Sequence, residues 1–432
     1  MIFPVAERLA ARSRIYYGWI LVFALGAMSV VIIGTASTLF GIVLVPIQHE
    51  LGWSRGQISG AYSLSYVVWG LAGVPAGQFI DRHGARKVMA VGSLLGAGCL
   101  ALLSTATQLW EFYVLWGLGL GLSVGLTSQL ASITVVTNWF YLRRGMALGL
   151  FTALSGLALP IYVPSVAWLV AHAGWRHSML AVAIAFLLVP LPLAVLLIRR
   201  RPEDLGLRRD GQAGPAPASE PAASAGLTLR EAVSRPAFWT LAISAAGASV
   251  AYAGVTAHQI PFLIGRHFDP VVAATFVGLA GLMSIPGRFL FNAAGDRFGA
   301  KGLLALTIGV QGVGIAILMQ ASSVPSLILY VLVYGAAFGA ASGLRAAMMA
   351  DQWGRRAFGA ISAVMGLASY GFSAAGPATV GWLYDRFGNY QLAFALAVGC
   401  YAVAVVAVLL TPSAPPELSA PRENRRPATP PA

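Results

Sequence analysis

The chain of 432 residues is 58% hydrophobic and only 10% charged, a composition that excludes an ordinary soluble domain. Its formal charge of +13 would suit nucleic acid, but the basic residues sit in short clusters between apolar runs, so no nucleic-acid partner is expected. The two cysteines, Cys99 and Cys400, lie inside apolar runs without metal-binding spacing, and neither a cofactor nor a metal is expected.

Taken in order, twelve apolar runs reach the ~20 residues that a helix needs to cross a bilayer. They are Tyr17–Val45, Gln57–Ile80, Val88–Thr107, Trp110–Thr137, Gly145–Ala171, His177–Ile198, Phe238–Ile264, Val271–Ala294, Gly302–Ala321, Pro325–Ala350, Phe358–Tyr384 and Tyr390–Thr411. The runs are continuous rather than alternating, which predicts an all-α membrane protein. The first run is too long for the core of a cleavable leader.

An even number of spans sets both termini on one side. Of the 28 Lys and Arg residues, 22 fall on that side, four (Arg55, Arg176, Arg266 and Arg386) on the other, and Arg288 and Arg345 within runs. The positive-inside rule then predicts a multi-pass protein of the cell membrane with both termini cytoplasmic. Residues 199–236 break the pattern. Their Pro/Ala/Gly/Ser stretch predicts a flexible cytoplasmic linker between an N-terminal unit, 1–198, and a C-terminal unit, 237–411. A short surface helix is expected over 227–235, and the Pro-rich tail 412–432 is expected to be disordered.

The units echo one another at an offset near 214: Asp81-Arg82 with Asp296-Arg297, Arg143-Arg144 with Arg355-Arg356, Trp168-Leu169 with Trp382-Leu383, and Gly174 with Gly388. A match so spread out predicts two six-helix bundles related as a parallel repeat. Binding sites of such proteins lie between the bundles near mid-membrane.

Arg288 is the strongest candidate for that site. An arginine at the bilayer centre costs at least about 2.5–3.5 kcal/mol on insertion scales. Its eight-residue gap to Asp296 is roughly 12 Å at ~1.5 Å per residue, near mid-depth. Its fork of donors suits a carboxylate, and no acidic residue lies in the middle of a run to neutralise it. Arg345 lies six residues before Asp351, roughly 9 Å from the end of its span; it either snorkels to the interface or supplies a second cation. His258 is the one histidine well inside a span and could touch substrate or take a proton. Tyr62, Tyr66, Tyr330, Tyr334 and Tyr370 could line a cavity, Tyr334 and Tyr370 foremost, with Gln129 and Asn292 as further polar candidates. The run Gly117-x-Gly119-x-Gly121-x3-Gly125 predicts close helix packing rather than a phosphate cradle. Enzyme signatures are absent.

The loop Gly77-x3-Asp81-Arg82-x-Gly84-x-Arg86-Lys87, with its shorter copy Asp296-Arg297-x-Gly299-x-Lys301, resembles the signature of the major facilitator superfamily. The resemblance covers residues 15–411. It implies a secondary transporter with a conformational latch at Gly77, Asp81, Arg82, Gly84, Arg86, Asp296 and Arg297. Three places are similar to the monocarboxylate transporter and oxalate/formate antiporter group: Tyr16-Tyr17-Gly18-Trp19, the stretch from Trp139-Phe140-Tyr141-Leu142-Arg143-Arg144 to Gly149, and Arg288. These imply a monomeric carrier of a small organic acid, mono- or dicarboxylate, with Arg288, Arg345, His258, Tyr334, Tyr370 and Tyr62 as substrate contacts. Departures from the group are Leu142 and Ser284, where lysine and aspartate are common, and the lack of lysine between Tyr17 and Val45. No basic residue lies between Phe358 and Tyr384 either. A coupled proton, a counter-anion and uniport therefore all stay open. Rival readings are a drug or metabolite exporter and a transporter-like receptor.

Overall fold

The computed structural model describes residues 4–12, 15–211, 226–354 and 356–413. Among them the long elements are all helices: α1 Tyr17–Leu51, α2 Arg55–His83, α3 Ala85–Leu103 and α4 Leu109–Trp139. The next stretch, Arg144–Leu196, breaks at Gly174 into α5 (144–173) and α6 (175–196). Then come α7 Pro236–Gly265, α8 Pro270–Phe298, α9 Ala300–Met319, α10 Val324–Trp353, α11 Phe358–Phe387 and α12 Gln391–Leu410. All but α2 fall within stretches long and apolar enough to cross a membrane. The twelve predicted spans are all present as helices.

Local chemistry sets the helix ends. Ser54 accepts from the Gln57 N–H and opens α2 with a capping box. Asp269 caps α8 by accepting from the N–H groups of Val271 and Val272. Between α2 and α3 stands Gly84 at φ 84°, and between α8 and α9 stands Gly299 at φ 88°. Only glycine takes that left-handed backbone without strain, so the internal repeat extends to turn geometry. It extends to helix irregularity as well. The π-helical segments Tyr113–Leu120 in α4 and Val331–Gly335 in α10 lie at equivalent places in the two halves. A third, Thr35–Leu39, lies in α1.

The motif around Tyr16 meets the motif around Trp139. The Tyr16 hydroxyl donates to the Trp139 carbonyl at 3.0 Å, and the Trp139 indole donates to the Arg199 carbonyl at 3.2 Å. The Tyr17 hydroxyl donates to the Leu197 carbonyl at 2.8 Å. Rings of Tyr16 and Trp19 pack on Phe140, and the Tyr17 ring on Trp139. These aromatics bind the entry of α1 to the ends of α4 and α6. At the end of α12, Lys301 donates to the Thr411 carbonyl and Gln352 to the Pro412 carbonyl. The face carrying these contacts is called the terminal face below, and the face carrying Arg55 the far face.

Both described ends of the expected linker are tied down. Asp210 stands in the left-handed region, φ 57°, and its carboxylate accepts from three successive N–H groups: Tyr141 at 2.8 Å, Leu142 at 2.8 Å and Arg143 at 3.1 Å. These donors precede α5 and have no helical partner, so an anion satisfies them well. Past the stretch outside the described residues, 212–225, the Leu227 N–H donates to the Trp353 carbonyl at 2.8 Å. The expected surface helix forms over Leu229–Val233. The tail beyond 413 also lies outside the described residues. Asp210→Ala is expected to lower the melting temperature in detergent by several degrees, since solvent-accessible bonds to a charged group contribute about 1–2 kcal/mol. Asp210→Asn, which tolerates the same backbone, should cause about half that loss.

Candidate functional site

The halves touch unevenly along their length. Near the far face α2 and α11 are in backbone contact. A methyl group on Gly381 would lie 2.8 Å from the Arg55 carbonyl and 3.0 Å from the Gly56 Cα. Asp385 accepts from the Arg55 N–H at 3.0 Å and the Gly56 N–H at 2.7 Å, placing its negative charge on the positive end of α2. The Arg55 guanidinium lies 3.9 Å over the Tyr384 ring and donates to Gln48 and to the Tyr390 hydroxyl. Lower down, the Ala378 N–H donates to Ser63 at 3.0 Å. At mid-depth the rings of Trp69 and Tyr370 lie 4.7 Å apart.

Toward the terminal face that contact ends. A methyl group on Gly73 or Gly77 of α2, Gly145 or Gly149 of α5, or Gly359 or Gly366 of α11 would meet nothing within 4 Å. The halves are thus in backbone contact at the far face, while these six glycines toward the terminal face meet no neighbour.

Arg288 sits below the seal, held by the pairing of α8 with α10. A methyl group on Gly287 would lie 2.0 Å from the Ala336 carbonyl, and one on Gly335 would lie 2.7 Å from the Ala280 carbonyl. The backbones can approach so closely only because these residues lack side chains. One turn on, Gly339 leaves the room that the Arg288 stem fills: a methyl there would lie 2.6 Å from Arg288 Cγ and 2.8 Å from its Nε. A further turn on, Asn292 lies against Gly343 in the same way. Arg288 Nε is buried and has no hydrogen-bond partner. Arg176 pairs with Glu50, and no carboxylate is seen against Arg288 among the described residues. Tyr252 on α7 is a neutral phenol that packs nearby. Its ring stacks on Phe338 at 5.2 Å, one residue before Gly339.

The other predicted residues divide. Arg345 also carries a buried, unpartnered Nε, one residue past Leu344, whose side chain packs over Gly295. Tyr370 is 36% exposed, beside Trp69 and against Gly70 of α2. Tyr62 is buried, stacked on Phe40, and donates to the Ala36 carbonyl at 2.8 Å, where it braces the π segment of α1. Tyr334 is buried in a stack with Tyr330 and Phe338. His258 is 0% exposed, and protein groups occupy both ring nitrogens. Its Nε2 faces the Pro377 carbonyl at 3.1 Å and Ser59 at 3.2 Å; its Nδ1 faces the Tyr390 hydroxyl at 3.1 Å. A carbonyl can only accept, so this network assigns the proton to Nε2 and leaves Nδ1 to accept from Tyr390. His258 thus continues the Arg55–Tyr390 chain of the seal.

Of the expected latch, Arg82 and Arg297 are exposed, and the side chains of Asp81 and Asp296 lie outside the described residues. Gly84 packs against the stem of Arg200. Tyr252, Asp385 and Arg55 escaped sequence reasoning as site residues. Tyr252 interrupts a run of small residues on α7, the one signal that could have marked it.

Paired six-helix halves that meet closely at one face, with buried guanidinium nitrogens of Arg288 and Arg345 that lack a hydrogen-bond partner, fit a multi-pass membrane transporter of a small molecule rather than an enzyme. The chain belongs to the Major Facilitator Superfamily, whose pattern it matches over residues 26–319 and 289–432. It is similar to monocarboxylate transporter 13 of Rattus norvegicus, 26% identical over 401 residues, 91% of this chain and 89% of the relative. Its fold is similar to the nucleoside transporter NupG, with a TM-score of 0.71 at 14% identity over 91% of this chain and 99% of the other. It is similar too to a bacterial homolog of the human lysosomal transporter Spinster, with a TM-score of 0.67 at 16% identity over 91% and 95%.

Proposed function

We propose that the protein carries a monocarboxylate across the cell membrane by alternating access, with Arg288 binding the carboxylate. The observation that carries this reading is the buried, unpartnered Nε of Arg288, one turn past Ile285, the residue of α8 that meets Gly156 of the other half. A guanidinium held out of water without a counter-ion is destabilising, and a visiting carboxylate relieves that penalty bidentately. Tyr252, whose ring stacks on Phe338 next to Gly339, is a further candidate donor. Residues 1–198 and 237–411 are the two moving bodies, with the terminal face in the cytoplasm by the distribution of Lys and Arg. The present state then opens inward, and the network of Arg55, Asp385, Tyr390 and His258 is its outer seal. The motif latch at Asp81, Arg82, Asp296 and Arg297 belongs to the opposite, outward-open state.

The test is counterflow in proteoliposomes preloaded with acetate, propionate, lactate or benzoate, with a pH dye in the lumen. Accumulation of the labelled acid against its preloaded form supports the reading, and no accumulation with any acid removes it. No acidic residue lies in the middle of a span, and His258 is fully engaged. Exchange is therefore expected to leave lumenal pH unchanged; stoichiometric acidification would show a proton carrier that this account lacks.

A further inference from the structure

Ser155 Oγ on α5 and Arg288 Nε on α8 are both buried without a hydrogen-bond partner, and these two helices pack against each other across the halves. Ser155 is 5% exposed. A hydroxyl within a helix commonly bonds back to the carbonyl four residues earlier. Its neighbours on α5 do so: Thr152 donates to the Leu148 carbonyl at 2.7 Å and Ser165 to the Ile161 carbonyl at 2.7 Å. Ser155 does not, and no other group among the described residues takes that place. A hydroxyl desolvated in this way is destabilising.

The two helices run antiparallel, and their contacts fix the register. A methyl group on Gly281 would lie 2.4 Å from Leu159 Cβ, and one on Gly156 would lie 3.2 Å from Ile285 Cγ1. From the Gly156–Ile285 level, Ser155 lies one residue and Arg288 three residues toward the terminal face. At ~1.5 Å per residue the two differ in depth by about 3 Å. Both turn away from the exposed sides of their helices. Leu282, Phe289 and Leu290 mark that side of α8, and at roughly 100° per residue Arg288 lies at least about 100° round from each. Met146 and Ile161 mark it on α5, and Ser155 lies at least about 120° round from each. On the inner side, Ser155 falls between Tyr162, which packs on Gly34 of α1, and Leu159, which packs on Gly281 of α8. Arg288 falls between Gly281 and Ser284, whose carbonyl lies against Gly339 of α10. The unpartnered hydroxyl and the unpartnered guanidinium thus stand at one level, on the inner sides of two helices in contact.

We propose that Ser155 is a further substrate contact, whose hydroxyl donates from the N-terminal half to the carboxylate that Arg288 holds from the C-terminal half. The proposal rests on the reading of Arg288 as the carboxylate site. Rotation about χ1 carries Oγ about 120° round Cβ without moving the helix. That turn gives up no bond, since Oγ makes none, and it gains one to a charged acceptor. The bound acid then ties α5 to α8, whereas Arg288 alone holds it to one half only.

The experiment measures acid binding by calorimetry in detergent on the full chain, with acetate, propionate, lactate and benzoate as probes. It compares the native protein with Ser155→Ala and Arg288→Gln and reads the ligand-free melting temperature of each. Ser155→Ala is expected to bind the acid roughly tenfold more weakly, as loss of one hydrogen bond to a charged group implies. Its ligand-free melting temperature is expected to hold or rise, because the deleted hydroxyl is unpaired. Ser155→Cys keeps the shape with a weaker donor and should fall between. A loss of less than about threefold in Ser155→Ala would overturn the proposal. So would weaker binding accompanied by a ligand-free melting temperature several degrees lower, the mark of a structural hydroxyl. If Ser155→Ala does not fold, Ser155→Cys is judged by the same two readings; if neither folds, the hydroxyl is structural and the proposal falls. Absence of acid binding in the native protein, or native-like binding in Arg288→Gln, would instead remove the underlying reading of Arg288.

Discussion

Arg288→Lys is expected to retain the fold and lose most carboxylate binding, by about 10- to 100-fold, because hydrogen bonds to charged groups contribute about 1.5–3 kcal/mol. The reason is geometric. Lysine keeps the charge, but its ammonium is a point and cannot form the two parallel bonds of a guanidinium fork. The space over Gly339 is occupied by the arginine stem itself, so a shorter contact pattern leaves the charge misplaced. Arg288→Gln should go further and abolish transport. Its second consequence separates a ligand site from a structural arginine. Because Nε is buried without a hydrogen-bond partner, removing the charge gives up no bond at that atom. The ligand-free melting temperature should hold or rise, since an unpaired buried ion is destabilising. A structural arginine would show the reverse, with stability falling alongside activity. Calorimetry on both variants reads the two effects together.

Asp385→Ala is expected to unlock the far face. Its carboxylate spans the halves, joining α11 to two N–H groups at the start of α2. No other acidic group accepts from those two N–H groups in the structure. Loss of two such bonds, at about 1.5–3 kcal/mol in total after solvent screening, shifts the equilibrium between the two open states roughly 10- to 100-fold. The readout is labelling of Tyr370→Cys, in a Cys99→Ser, Cys400→Ser background, by an impermeant maleimide added from the Arg55 side. Labelling should be slow with Asp385 present and at least tenfold faster without it. Asp385→Asn, which keeps one acceptor, should fall between. Equal rates in all three proteins would show that the contact does not hold the seal.

Much of the frame was legible in the chain because lipid imposes simple rules. Continuous apolar runs predicted the twelve helices, and the paired Gly174 and Gly388 marked equivalent turns. Arg288 stood out because its charge conflicts with its surroundings, a conflict visible without any partner. The seal was not legible. Arg55 and Asp385 are 330 residues apart, and in the sequence they are ordinary loop charges that the topology rule already accounts for. His258 shows the converse: a histidine within a span looks chemically poised until Ser59, Pro377 and Tyr390 are found around it. Asp210 lay in a segment whose composition suggests flexibility, and only the three N–H groups it meets give it a place. Tyr252 was one phenol among many until its ring was found on Phe338, next to the Gly339 that holds the Arg288 stem. Periodicity and hydropathy report on the solvent around a helix; contacts across the fold lie beyond their reach.

The most direct measurement pairs an acid with its uncharged twin. Thermal shift and calorimetry on the purified protein would compare benzoate with benzamide and lactate with lactamide, in the native chain and in Arg288→Gln. A negative end seeking a stranded guanidinium predicts that at least one acid binds, that its amide does not, and that Arg288→Gln abolishes the difference. Equal binding of acid and amide, or undiminished acid binding in Arg288→Gln, would contradict it.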